Sequence, residues 1–340
     1  MIALIVVHEL GHMLLAKAMG VRVPEFGVGF GPPLFKKKLG ETVYSFRVIL
    51  LGGFAKMAGM NDDEEGPDTY PEKAAWRRAL IIFAGPFANL LVAVLIFAVL
   101  FMGTSPPTTE VKSVMSGTMA ADIGLQQGDR IVSFNGEDIG SWSEFQEAVS
   151  AGHPGDEVTL TVERDGRQKE FSGTLSADEQ DRERPIVGLR PEAAERNYGP
   201  LEALWLGVEQ SARLIGLFGW LIGQLVTGRI DFYDSTAGPL GIVSVGSDVA
   251  SHGAQSFAGL LALISLNLAV FNLLPLLPLD GGHLFFIAAE KVLGRPVSPE
   301  TVARIAAFGL ALILMLFVFA TYSDLSKIFA GQPFIPDRGP

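Results

Sequence analysis

The chain has 340 residues, of which 49% are apolar, and its formal net charge is −11. Its mean hydropathy of +0.34 is high for a soluble enzyme and ordinary for a membrane protein. The chain has no cysteine, which excludes disulfides and thiolate ligands, so any zinc has to be bound by His, Asp or Glu.

The first apolar run, residues 2–19, contains the sequence His-Glu-Leu-Gly-His at 8–12. Two histidines four residues apart lie on one face of a helix and can bind one metal ion, and the carboxylate between them can deprotonate an activated water. The alternative is a pair of helix histidines satisfied by hydrogen bonds. The apolar setting favours the metal, because ionisable residues within a membrane are functional candidates. Only seven residues precede His8, fewer than a spanning helix needs on that side. Either the span is short at its N-terminal end or the natural chain begins earlier, and we favour the second alternative.

Residues 20–75 are predicted to form small β-hairpins at the membrane surface. Glycines alternate with apolar residues at 27–31, two prolines follow, and residues 42–49 alternate in the manner of a strand. The three lysines at 36–38 are best interpreted as a solvated anchor on the inner side of the membrane.

Residues 79–102 form a run of 24 residues without a charge, which predicts a transmembrane helix. Gly85, Pro86 and Asn89 are unusual within it. Glycine permits close helix contact, and a membrane asparagine usually finds a polar partner on a neighbouring helix. A packing role is therefore favoured for these residues, with a direct role in a catalytic site as the alternative.

Residues 106–190 are predicted to form a small α+β domain. Its most characteristic stretch, Gly-Leu-Gln-Gln-Gly-Asp-Arg-Ile at 124–131, resembles PDZ domains, which bind peptide ends by strand addition beside a helix. By that resemblance the helix that begins at Ser143 is one wall of a peptide groove. The alternative is a domain that only limits access to the rest of the protein. A charged linker is predicted at 178–185.

Residues 191–256 are predicted to contain a linker and an amphipathic helix that lies at the membrane interface. Glu202, Glu209 and Arg213 interrupt an otherwise apolar pattern over 201–228, which fits an interfacial helix better than a span.

The uncharged run 257–279 is predicted to be a membrane helix that breaks near its end. Pro275 and Pro278 precede Asp280 closely, and irregular backbone at membrane depth is tolerated only where it is buried in protein or lines a cavity. Asp280 is therefore the best candidate for a third zinc ligand, and His283 is a weaker candidate beside it.

A polar connection at 290–304 and a last span at 305–322 complete the C-terminal membrane part, 257–340. With the N-terminal membrane part, 1–105, the predicted fold is a polytopic α-helical membrane protein with about four transmembrane helices.

Together these motifs resemble the site-2 protease family of intramembrane zinc metalloproteases, in the bacterial regulator-of-sigma-E-protease branch with one PDZ domain. The similar segments follow in the same order at 8–12, 27–32, 52–57, 85–89, 124–131, 238–242 and 279–281. The resemblance implies Zn²⁺ bound by His8, His12 and Asp280, with Glu9 as the catalytic base. Further residues that could support the site or the substrate are Gly53, Phe54, Asn89, Asn272 and Pro275.

Two features depart from the family pattern. The first helix is usually longer, and the second proline usually follows the first by two residues, whereas Pro275 and Pro278 are three apart. The spacing of Asn272, Pro275 and Asp280 is kept, so the departure concerns the local backbone.

The resemblance further implies cleavage of single-pass membrane proteins already trimmed outside the membrane, such as anti-sigma factors or remnant signal peptides, in the bacterial inner membrane. Residues 17–78 carry ten Lys and Arg against eight acids, and residues 110–234 carry 11 against 22. The positive-inside tendency therefore places the PDZ-like domain outside and the active site toward the cytoplasm. The hairpins at 26–57 could hold an unwound substrate by strand pairing. Nothing in the sequence indicates a nucleic acid partner.

Two other classes of protein share some of these features. A membrane scaffold with a PDZ domain would not need any of the residues His8, Glu9, His12 and Asp280. A zinc transporter or metal sensor has no use for Glu9. The complete set therefore favours the protease.

Overall fold

The computed structural model describes residues 2–60, 64–178, 182–229, 239–295 and 297–330. The chain forms two compact units, residues 1–100 with 201–340, and residues 101–200.

The first unit consists mainly of apolar helices. They are α1 (Ile2–Ala18), α2 (Ala75–Met102), α5 (Pro200–Val226), α6 (Pro239–Ser251), α7 (Ala254–Asn272), α8 (Asp280–Leu293) and α9 (Pro299–Phe329). Among the described residues, three helices are long and apolar enough to cross a bilayer, at 75–102, 254–272 and 300–330. Helix α1 has 17 residues, whereas a helix that spans the hydrocarbon core requires about 20 residues. The total of about four spans therefore stays a prediction.

The long helix α5 lies against α2. A Cβ on Gly207 would overlap the backbone of α2 at Val94, so the glycine allows the two helices to touch at this point. On the exposed side of α5, Arg213 pairs with Glu209 at 3.0 Å. The interfacial placement of this helix stays a prediction.

The C-terminal helices differ from the predicted spans at their ends. Helix α8 continues to Leu293 and stops at Gly294, whose φ of 66° ends the helix in a left-handed turn. The predicted polar connection at 290–304 is therefore wrong over much of its length. Helix α9 begins earlier than predicted because the Ser298 hydroxyl accepts the Thr301 N–H and Pro299 stands at the first turn.

Two long strands, β1 (Glu25–Leu39) and β2 (Thr42–Lys56), form the sheet between the first two helices, and residues 35–39 pair with 42–46 as a short hairpin within it. The base of β1 lies between two parts of β2, since Gly27 faces both Ser45 and Phe54. Gly29, with a φ of 88°, allows the bend that makes this double pairing possible. Residues 53–56 consequently form an outer edge of the described sheet.

The core of the first unit is formed where α1, α2, α8 and this sheet meet. Buried apolar side chains from each of these elements form one cluster, which includes Met13, Phe26, Ile81, Ile82 and Ile287.

The second unit is an antiparallel sheet with two short helices. Its strands are β3 (Pro107–Val114), β4 (Arg130–Phe134), β5 (Glu137–Asp138), β6 (Glu157–Arg164), β7 (Arg167–Thr174) and β10 (Leu189–Ala193), in the order β10-β3-β4-β6-β7 with β5 beside β4. A separate pair comprises β8 (Ser176–Ala177) and β9 (Pro185–Ile186), and the helices are α3 (Met119–Asp122) and α4 (Trp142–Ser150).

One tight turn and one core organise this unit. Asn135 and Gly136 both have positive φ, 50° and 82°, as a two-residue hairpin turn requires. Phe134, Trp142 and Phe145 pack in the buried cluster between sheet and helix. The predicted linker at 178–185 includes residues 179–181, which lie outside the described residues, and its last residue belongs to β9.

Candidate metal centre

Helices α1 and α8 bring three potential ligand atoms to one point. Nε2 of His8 and Nε2 of His12 are 3.2 Å apart, and Oδ2 of Asp280 lies 3.0 Å from the first and 3.4 Å from the second. The spacing of the histidines on α1 places both rings on the same face. Asp280 completes the group because α8 begins with this residue.

These distances fit a tetrahedral zinc ion. Ligand atoms bound to zinc at about 2.0–2.2 Å in a tetrahedron are about 3.3–3.6 Å from one another. Two imidazoles and a carboxylate are also the donor types that zinc binds in catalytic sites, where a fourth position stays open for water. Oδ2 of Asp280 is buried and accepts no hydrogen bond from the described residues, so a cation at this point would satisfy it.

Helix α2 orients both imidazole rings through contacts to their Nδ1 atoms. Nδ1 of His12 lies 2.9 Å from the backbone carbonyl of Ile81, so Nδ1–H donates to the carbonyl and the lone pair of Nε2 faces Asp280. Nδ1 of His8 lies 3.3 Å from the side-chain amide of Asn89. Contacts of this kind fix the tautomer and orientation of metal-binding histidines.

Two glycines allow α1 and α2 to approach so closely. A Cβ on Gly85 would overlap the His12 ring, and a Cβ on Gly11 would overlap the carbonyl of Ala84. The packing role predicted for Gly85 is therefore confirmed, and the glycine leaves room for a candidate ligand.

Glu9 lies beside the three ligand atoms in a cavity of about 240 Å³. The described residues that line this cavity are His8, Glu9, His12, Phe54, Ala55, Met57, Met60, Ile82, Asn272, Pro278, Asp280 and His283. A Cβ on Gly53 would come within 3.3 Å of the Glu9 side chain, so the outer edge of the sheet packs directly on the carboxylate-bearing residue.

The remaining sequence candidates differ in whether they line this cavity. Phe54 and Asn272 line the cavity, and the Asn272 amide donates to the Leu268 carbonyl at 2.9 Å. Of the described residues that line the cavity, the proline is Pro278 and not Pro275. His283 lies in the wall but outside the cluster of three ligand atoms.

Sequence reasoning missed two contributions to this site. One is the Ile81 carbonyl, which no side-chain pattern can reveal. The other is the pair Gly281 and Gly282, where added Cβ atoms would overlap the backbone of Leu273 and Leu277. These glycines let α8 start against the preceding turn, and the Gly-Gly sequence directly after Asp280 is the signal that could have indicated it.

The second unit has a cavity of its own. Helix α4 and residues 185–189 flank a space of about 170 Å³, which Trp142 and Phe145 line from the helix side. The position beside α4 corresponds to the groove predicted there.

Known proteins with similar sequences carry the names of zinc metalloproteases. Residues 1–316 match the profile of peptidase family M50. The zinc metalloprotease RasP of Geobacillus kaustophilus is 30% identical, with 96% of this chain and 96% of RasP covered. A protein of Agrobacterium fabrum that bears a zinc metalloprotease name is 34% identical, with 96% of this chain and 93% of that protein covered.

Among solved structures, the PDZ domain of the SdrC-like protein from Listeria monocytogenes is 26% identical to part of the chain. It covers 25% of this chain and 87% of that domain, with a TM-score of 0.23.

Proposed function

The chain belongs to peptidase family M50 and is a zinc metalloprotease, and we propose that it hydrolyses peptide bonds within the transmembrane segments of single-pass membrane proteins. One observation carries the proposal. Three zinc-type ligand atoms converge beside a carboxylate, in a unit whose helices include three that are long and apolar enough to cross a bilayer.

The geometry of the cavity supports the following chemical roles. His8, His12 and Asp280 would hold the zinc ion. When bound, zinc supplies a Lewis acid and lowers the pKa of water toward neutrality. Glu9 accepts the proton of the attacking water and passes it to the leaving amine. Glu9 lies between the two histidines in the sequence and in the wall of the same cavity, which supports this role.

Substrate presentation requires a local change in the substrate. A transmembrane helix satisfies its carbonyls internally, so it has to unwind before one of them can be attacked. The edge strand at 53–56 can pair with the unwound segment by strand addition. Phe54 and Ala55 of this edge line the cavity, which would hold the scissile bond near Glu9.

The substrate class and the orientation complete the proposal. We infer that the chain lies in the bacterial inner membrane with residues 106–190 outside and the zinc site toward the cytoplasm, as the distribution of charge favours. Substrates are then membrane proteins already shortened outside, such as anti-sigma factors or remnant signal peptides. The PDZ-like domain either binds their new ends or excludes untrimmed proteins.

Co-expression with a panel of tagged single-pass membrane proteins tests the proposal. Wild type should produce a fragment cut within the membrane segment of at least one of them, and Glu9→Gln should leave all of them intact. Glu41→Gln is the matched control, because Glu41 is exposed at the hairpin turn. Equal cleavage by wild type and Glu9→Gln, or no intramembrane cleavage by wild type across the panel, would contradict it.

A further inference from the structure

An ion pair joins α2 and α8 away from the zinc ligands. Nη2 of Arg78 lies 3.0 Å from Oε2 of Glu290, and the two side chains are only 21% and 22% exposed. The residues are 212 positions apart in the chain.

The two helices that this pair joins carry complementary parts of the metal centre. Helix α2 contacts the histidines through the Ile81 carbonyl and the Asn89 side chain. Helix α8 carries Asp280 as its first residue. Any shift of α8 along α2 therefore changes the distances between Asp280 and the two histidines.

Stability of the helix contact does not by itself explain the ion pair. Apolar packing already joins the helices, since Ile81 and Ile287 belong to the same buried cluster and Leu284 packs against it. Nε of Arg78 is buried and has no hydrogen-bond partner among the described residues. Partly buried ion pairs lose much of their attraction to desolvation, and their best-attested advantage is that they specify one arrangement.

From this geometry we propose that Arg78 and Glu290 are positioning residues, which fix the register of α8 on α2 and thereby hold Asp280 at the zinc site. Glu290 follows Asp280 by ten residues, or about 15 Å of helix, so the pair acts on the ligand through the rigid helix. A metal site tolerates errors of only about 0.2 Å in ligand distances. The proposal rests on the ligand set proposed above.

Zinc dissociation from the purified full-length protein, measured with a chromogenic chelator, tests the pair. Arg78→Glu and Glu290→Arg should each accelerate zinc loss by about tenfold or more, the lower end of what mutation of residues that orient metal ligands costs. The double variant Arg78→Glu with Glu290→Arg should return the rate toward the wild-type value. Glu290→Gln, which keeps the shape of the side chain, should show the same direction of change in a protein that folds.

Two controls separate the possible results. Arg77→Glu changes an exposed arginine that stacks on Trp76 and should release zinc at the wild-type rate. Asp280→Ala tests the ligand itself. If this variant retains zinc, the proposed ligand set is wrong, and not only the positioning role of the ion pair. If Asp280→Ala loses zinc while the Arg78 and Glu290 variants keep the wild-type rate, or if the double variant is as impaired as the single ones, the positioning role is wrong.

Discussion

The side-chain amide of Asn89 lies against the nitrogen of the His8 ring that points away from Asp280, with Nδ2 of Asn89 at 3.3 Å from Nδ1. In this orientation Oδ1 of Asn89 is buried and has no partner among the described residues. Rotating the amide by half a turn brings Oδ1 to Nδ1 and lets the imidazole donate. We expect this arrangement when zinc is bound, because a histidine that ligates through Nε2 carries its proton on Nδ1.

Substitution of Asn89 distinguishes the two orientations. Asn89→Asp keeps only acceptor oxygens, so it should retain zinc if the His8 imidazole donates. Asn89→Leu removes the partner and should weaken zinc affinity by about 10–100-fold. Competition with a chelator of known affinity measures both. Loss of zinc from the Asp variant as large as that from the Leu variant would mean that Asn89 donates to His8 instead.

A second pair of variants separates the proposed ligand from the proposed base. Asp280→Ala removes one of three ligands and should lower both zinc content and cleavage. Glu9→Gln keeps the size of the side chain but cannot accept a proton, so it should retain zinc and cleave slower by about 10²–10⁴-fold or more. Metal analysis beside cleavage of one transmembrane substrate gives both quantities. Normal cleavage by Glu9→Gln, or full zinc and full rate in Asp280→Ala, is the result that contradicts these roles.

Gly85 offers a test of the close contact between α1 and α2. Gly85→Ala places a methyl group on the His12 ring, so the ring has to move and zinc content should fall. Gly219→Ala is the control, since an added Cβ at this exposed glycine of α5 meets nothing within 4 Å. It should keep zinc and stabilise the helix by up to about 1 kcal/mol. Equal zinc contents in the two variants would show that the His12 ring can accommodate the added methyl group.

The residue set of the candidate site could be predicted from the sequence because chemical type and spacing are local properties. Histidines four apart in a helix must share a face, so His8 and His12 required no knowledge of the fold. Asp280 lies 268 positions after His12. It could still be predicted, because a carboxylate that closely follows two prolines is rare at membrane depth. The contacts that orient the rings depend on how helices cross, and no local pattern specifies this.

Glu290 shows why other parts of the prediction failed. A charged residue after an apolar run is typical of a connection, yet the structure pairs Glu290 with Arg78 at 3.0 Å. The partner lies in another helix far along the chain, so the sequence alone could not show that this charge is compensated. The two prolines correctly predict the end of a helix, but they do not indicate the helix that begins directly at Asp280.

Acid should destabilise the second unit through Asp129. Burial opposes ionisation of its carboxyl group, but hydrogen bonds from the Arg164 guanidinium at 2.6 Å and the Gln126 backbone N–H at 2.8 Å outweigh this effect and lower the pKa of Asp129. A carboxyl whose pKa is lower in the folded state stabilises the fold above its unfolded pKa of about 3.9. This contribution is lost as the pH falls through the lower, folded value.

Hydrogen exchange of the amides in 110–175 of the full-length protein, followed from pH 7 downward, measures this effect. Arg164→Met leaves the buried carboxyl without its guanidinium, so protection should begin to fall at a higher pH than in wild type. Arg130→Met is the control, because Arg130 is exposed and lies 3.9 Å from Glu163. Identical pH profiles for wild type and Arg164→Met would exclude the proposed contribution of Asp129.

A reporter fused within the second unit tests the membrane orientation. Fusion of alkaline phosphatase at Ser176 should be active and fusion at Lys37 inactive, because the positive-inside tendency places residues 17–78 in the cytoplasm. A green fluorescent protein at the same positions should give the reverse pattern. An active phosphatase at Lys37 together with an inactive one at Ser176 would invert the proposed topology.

Removal of residues 110–190 tests whether the PDZ-like domain controls access without taking part in the chemistry. The ends that this deletion creates are neighbours, since β3 and β10 pair with Pro191 opposite Val111 and Ala193 opposite Pro107. A linker of two glycines, which spans up to about 7 Å, can therefore rejoin the chain.

All proposed zinc ligands lie in the other unit, so the deletion variant should keep its zinc and still cleave a short transmembrane peptide in detergent. In cells it should also cleave membrane proteins that have not been trimmed, which wild type leaves intact. A folded deletion variant that has lost its zinc would show that the domain supports the metal centre, and one that still requires trimmed substrates would show that access is controlled elsewhere.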